Sequence, residues 1–150
     1  MTDREQARAF STPPGPAPAP RIALVGHCGP DSWMLKSVAQ RAFPGGEVVM
    51  VQDDASARSE AARADLLLIN RKLDGEFPTG SGLDLIGELI PMKGRRAAVM
   101  LVGNHADAQA VAVELGAILG FGKAKAGTPE AAQAMRVAAS RAALRPRLQL

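Results

Sequence analysis

The sequence predicts an α/β protein in three layers, α/β/α, with helices covering both faces of a doubly wound, five-stranded parallel sheet. Three observations carry that expectation. From Arg21 onward, short apolar runs alternate with segments of helical period, the order in which each crossover between parallel strands is a helix. The run Leu66-Leu67-Leu68-Ile69 is apolar at every position, as a strand covered on both faces must be. Turn and cap residues fall at the switches between the two patterns, most clearly at Pro44-Gly45-Gly46, Gly116 and Thr128-Pro129.

Composition narrows the function classes. A chain of 150 residues, 47% hydrophobic and 22% charged, is long enough to bury a substantial core. A single cysteine forms no intramolecular disulfide, and with two histidines it does not complete a structural zinc site of the usual four-ligand kind. Apolar stretches fall short of the roughly 18 residues of a membrane span and the Met1 region opens polar, so the reading is a cytoplasmic protein with no membrane partner. A net charge of +3, 3% aromatic residues and no tyrosine offer little for stacking on bases, so nucleic acid is not indicated. No cofactor is implied.

Residues 1–21 read as a disordered, proline-rich tail, because five prolines between Pro13 and Pro20 remove backbone donors and favour extended polyproline. The domain is expected over 22–144, with a short tail at 145–150. Its first strand is Ile22-Ala23-Leu24-Val25, ending in Gly26-His27-Cys28-Gly29-Pro30. Asp31 or Ser32 then caps a helix to about Phe43, with Met34, Leu35, Val38, Ala39 and Ala42 as its buried stripe. Val48–Val51 forms the second strand, followed by Gln52-Asp53-Asp54 and an alanine-rich helix near 55–63. The third strand ends at Asn70. A loop from Arg71 to Ser81 follows, longer than such connections usually are, and then a helix from about Gly82 with Leu83, Leu85, Ile86, Leu89 and Ile90 inward. Ala97–Val102 is the fourth strand, leading through Gly103-Asn104-His105 to a helix from about Asp107 to Leu115 that stops at Gly116. The fifth strand is Ala117–Phe121. Lys123 follows it, and Thr128 caps a last helix with Pro129 at its first position.

Five such units suit a flavodoxin-like sheet of order 2-1-3-4-5, in which a site lies at the carboxyl ends of the strands. The segment from Asp65 to Ile86, the Glu114-Leu115-Gly116-Ala117 stretch and Lys123 together resemble the response-regulator receiver domain of two-component signalling and its phosphorelays. The resemblance covers roughly 22–140. It implies a phospho-accepting aspartate at the end of the third strand, an acidic pair at the end of the first to hold magnesium, a Thr or Ser after the fourth and a Lys after the fifth. Position by position the acceptor is Asn70, the acidic pair is Gly26 and His27, and the hydroxyl position is Gly103; only Lys123 matches. An amide is a poor nucleophile and brings no charge to a hard cation. The expectation is therefore a degenerate pocket and no metal: a non-enzymatic pseudo-receiver that acts by protein–protein contact. The family's usual partner or dimer surface corresponds to about 105–143 here.

The sequence carries other readings as well. Asp53 and Asp54 end the second strand and offer either a displaced metal site or helix-capping carboxylates. Cys28, in a strand-to-helix turn near a helix N-terminus, is the candidate for a thiol-dependent enzyme or redox sensor, with His105 as a conceivable partner on another strand-end loop. His27 is either a switchable cation beside Lys123 or a hydrogen-bonded loop histidine. Arg136, Arg141, Arg145 and Arg147 form a basic stripe for an acidic protein partner or, as an alternative, make the chain a nucleic-acid adaptor.

Overall fold

A computed structural model of the chain describes residues 19–144. The tails expected at the two ends lie almost wholly outside those residues, but Arg21 is the first residue of a strand rather than the last of a tail. Five strands, β1 (Arg21–Val25), β2 (Glu47–Val51), β3 (Leu66–Asn70), β4 (Ala98–Val102) and β5 (Ile118–Phe121), alternate with five helices. These are α1 (Gly29–Ala42), α2 (Asp54–Arg63), α3 (Gly82–Leu89), α4 (Ala106–Glu114) and α5 (Pro129–Ala142), with a 3-10 turn over Lys123–Lys125 before the last. The sheet is parallel in the order β2-β1-β3-β4-β5, as expected.

Alternation along the central strands separates two cores. Ile22, Leu24, Leu66, Leu68, Met100 and Val102 point to the α1 and α5 side, where Leu35, Val38 and Met135 meet them. Ala23, Val25, Leu67, Ile69, Val99 and Leu101 point to the other side, against α2, α3 and α4. A polar residue in β1, β3 or β4 would therefore face one apolar layer or the other, which is why these strands read as continuous hydrophobic runs.

The start of α1 differs from the expectation, and the difference bears on the site. Cys28, not Asp31 or Ser32, is the N-cap of α1: its backbone is extended, and Pro30 sits in the first turn, where a missing N–H costs nothing. Asp31 is thereby carried into the first turn, and Ser32 is buried while Met34 is only partly so. At the far end of α4, Gly116 takes the left-handed φ of 111° expected of a residue just past a helix. Thr128 caps α5 through the Ala131 N–H at 3.2 Å.

At the amino ends of the strands, opposite the site, a charged network ties the sheet together. The Arg21 guanidinium donates to both carboxylate oxygens of Glu60 at 2.7 and 2.8 Å, and its third nitrogen pairs with Glu47. Asp65 accepts from the Arg21 backbone N–H and from Arg96, which also donates to the Ala64 carbonyl. The Glu60 hydrogen bond holds the Arg21 pKa above its ordinary value against the opposing effect of burial, with Glu47 assisting.

Candidate functional site

The carboxyl ends of β1, β3, β4 and β5 open into a cavity of about 360 Å³ whose walls include Cys28, Asp31, Asn70, Gly103, His105 and Lys123. Of the receiver-pattern positions, Asn70, Gly103 and Lys123 line it; Gly26 and His27 lie behind it.

Asn70 is the centre of the arrangement. Its side-chain Nδ2 donates to the Gly26 carbonyl at 3.0 Å and to the Lys72 carbonyl at 2.6 Å, so the amide ties the turn after β1 to the turn after β3. The residue is 9% exposed. Gly26 has φ 74°, a left-handed conformation, and a Cβ added there would lie 2.6 Å from Leu73 Cδ2. The long loop after β3 supplies that leucine. It folds back as a strap: Leu73 N–H donates to Gly80 O, Asp74 N–H to Gly26 O and Glu76 N–H to Gln52 O. The strap was expected only as a long connection; its pairing across the ends of β1 and β2 had no sequence signal beyond length.

His27 points inward. It is fully buried, with Nε2 2.8 Å from the Leu68 carbonyl, so the ring carries its proton on Nε2 and donates. Nδ1 has no partner. Burial pushes the imidazole pKa down to about 4; the Leu68 hydrogen bond and Asp31 oppose this and Lys123 adds to it. Of the two sequence readings of His27, the geometry matches the hydrogen-bonded one and not a cation exposed beside Lys123.

Lys123 is held by a residue that strand-end matching passes over. Its Nζ donates to Asp31 Oδ2 at 2.5 Å, and that hydrogen bond is the main reason the Asp31 carboxyl lies below its usual range, with burial opposing and the Cys28 thiol assisting. Asp31 stood in the sequence as a candidate helix cap. Its position in the first turn of α1, a helix whose N-terminus faces the end of β5, is what brings it to the lysine.

Gly103 leaves room that Arg71 fills: a Cβ there would touch Arg71 Cβ at 3.5 Å. Beside it, buried Gln109 of α4 donates to the Leu101 and Gly103 carbonyls and accepts from Gly120 N–H, stapling α4 to β4 and β5. Cys28 and His105 line the same cavity, and His105 is the N-cap of α4 without a side-chain capping bond. Asp53 caps α2 through Ser56 N–H at 2.8 Å, and Asp54 pairs with Arg58. Among the described residues, no three His, Cys, Asp or Glu side chains gather as a metal site would need. The basic stripe divides. Arg136 reaches the Ala42 carbonyl of α1, whereas Arg141 borders a small cavity near Ala98 and Ile118; Arg145 and Arg147 lie outside the described residues. No helix among the described residues is long and apolar enough to cross a membrane.

No family model matches the chain, and no curated protein matches it in sequence. Solved structures do match in fold. A sensor protein from Polaromonas sp. JS666 is 18% identical, with 83% of this chain and 99% of that one covered at a TM-score of 0.67. A putative response regulator from Chloroflexus aurantiacus is 17% identical over 86% of this chain and all of that one, at 0.60. A response regulator receiver domain from Rhodospirillum rubrum is 21% identical over 85% and 96%, at 0.55. The chain has the fold of response-regulator receiver domains, a five-stranded, flavodoxin-like α/β sandwich.

Proposed function

We propose that this is a receiver-like signalling module that works by protein contact and does not accept a phosphoryl group. The observation that carries the reading is the Asn70 amide, which donates to the Gly26 and Lys72 carbonyls. A bound cation would have to compete with those N–H donors for the same oxygens. The donor set does not fit magnesium: Asn70 turns a nitrogen to the carbonyls, Gly26 has neither a carboxylate nor space for one, His27 faces the core, and Asp31 is committed to Lys123. Nor is there a carboxylate at the end of β3 to attack phosphorus.

The chain then acts through surface. Val111 of α4, Leu115 just past its end, Leu119 of β5 and Val137 of α5 are large exposed apolar side chains within the 105–143 region, suited to a protein partner or a second copy. Two measurements test the reading. After incubation with acetyl phosphate and millimolar magnesium, intact-mass spectrometry should detect no added phosphoryl group; an adduct on Asp31, Asp74 or any other strand-end carboxylate would overturn it. A pull-down from the native cell should lose its partner when Leu119 and Val137 are changed to Asp, and a partner retained by that variant would move the surface elsewhere.

A further inference from the structure

Trp33 is the only tryptophan in the chain and is 75% exposed, on the outward side of α1. It lies outside the 105–143 stretch, and no step of the proposed function uses it. A second large apolar side chain lies on the same side of the sheet. Met50 is paired in register with Leu24, so it points toward the α1 layer, and on the edge strand it remains 48% exposed. An exposed indole in a surface helix is a conspicuous placement for a chain with 3% aromatic residues.

We propose that this face is the docking site of the chain's own proline-rich segment, Pro13–Pro20, with prolines stacked on the Trp33 ring. Where the segment joins the domain supports this. The Pro20 carbonyl accepts from Glu47 N–H, so the segment enters beside the start of β2 and the C-terminal end of α1. From there α1, 14 residues and about 21 Å long at ~1.5 Å per residue, runs back past Trp33. Pro13 to Pro20 in a polyproline helix spans about 22 Å at ~3.1 Å per residue, enough to bring Pro13 and Pro14 to the indole. Proline rings on an aromatic face are the recognition mode of polyproline segments, and prolines already restrict the backbone, so little ordering entropy opposes docking. Tethering makes the encounter intramolecular, so a contact too weak to hold in trans still forms.

One tryptophan and no tyrosine make Trp33 emission a clean reporter. The test is acrylamide quenching of the full chain and of a full-length variant carrying Pro13→Ser, Pro14→Ser, Pro16→Ser and Pro18→Ser. Stacking covers one of two ring faces, so the Stern–Volmer constant should rise about two-fold in the variant. Equal constants would overturn the proposal. Shielding that grows with protein concentration would overturn it as well, by assigning the face to a second copy. A synthetic peptide of residues 10–20, added at millimolar concentration to the variant, should restore shielding of Trp33. Failure of that rescue at the highest soluble concentration would point to an indirect effect of the substitutions and sink the proposal.

Discussion

Acid should destabilise this protein at a pH where its carboxylates are still ionised, and the cause is His27. In the folded chain the imidazole is buried, donates from Nε2 to Leu68 and has a pKa pushed down to about 4, against an ordinary value of 6.5. Between those two values the unfolded chain binds a proton that the folded chain refuses, so stability rises with pH across the window and falls as the solution is acidified through it. With those limits, going from pH 8 to pH 5 removes about 2 kcal/mol, a sizeable part of a typical domain's total. Asp31 does not contaminate the window: its pKa is depressed, so its contribution is lost only as pH falls below about 4. Urea denaturation followed by circular dichroism at pH 8, 6.5, 5.5 and 5 measures the slope. Trp33 fluorescence would not serve, since an indole 75% exposed reports little of the core. His27→Gln should flatten the dependence whatever it does to the absolute stability. A wild-type stability level to within about 0.5 kcal/mol between pH 8 and pH 5 would refute the reasoning.

Three further outcomes are expected. Asn70→Asp replaces a donor by carboxylate oxygens facing the Gly26 and Lys72 carbonyls, and should cost about 2–4 kcal/mol in urea denaturation at neutral pH while still giving no phosphoryl adduct. An unchanged midpoint would show that the amide does not tie the two turns. Glu60→Ala leaves Arg21, whose side chain is 16% exposed, with Glu47 alone, and should lower stability by about 2–3 kcal/mol by the same assay. Cys28, half-buried at the α1 N-cap, should be alkylated by iodoacetamide no faster than a model thiol, and Cys28→Ser should keep the partner in a pull-down; faster labelling with loss of the partner would favour a thiol-dependent function.

The architecture could be read from the sequence because both faces of the sheet are covered. Leu66 to Ile69 and Val99 to Val102 had to be apolar throughout, and the helices between them carry their caps in plain sequence, as Thr128 and Gly116 show. Boundaries slipped where local chemistry offers two answers. Asp31 and Ser32 are both good caps, but Cys28-Gly29-Pro30 lets the helix begin a turn earlier: proline is accepted in a first turn and an extended Cys28 needs no side-chain bond to precede it. Of the basic stripe, Arg136 and Arg141 fall among the described residues, and geometry separates them. Arg136 and Arg141 are five residues apart, about 140° around a helix, so one leans on α1 and the other toward β4 and β5.

The site was legible as positions and not as contacts. Matching strand ends located Asn70, Gly103 and Lys123 on one cavity, since a parallel sheet of known order brings those ends together. It could not show that Lys123 is bound to Asp31, 92 residues away, because the pairing depends on where α1 starts and how its first turn faces β5. Nor could it show Leu73 over Gly26, which depends on how the strap folds back. On the proposed reading, those contacts change what Asn70, Gly26 and Lys123 mean together. Asn70 in place of a carboxylate would by itself be one lost nucleophile. Its amide donates to two carbonyls, Leu73 occupies the space of any side chain at 26, and Lys123 is paired with Asp31, so these positions are each already engaged. On the proposed reading, a pocket so paired would not regain phosphoryl transfer by any single substitution, because each restored group would meet a neighbour already adapted to its absence.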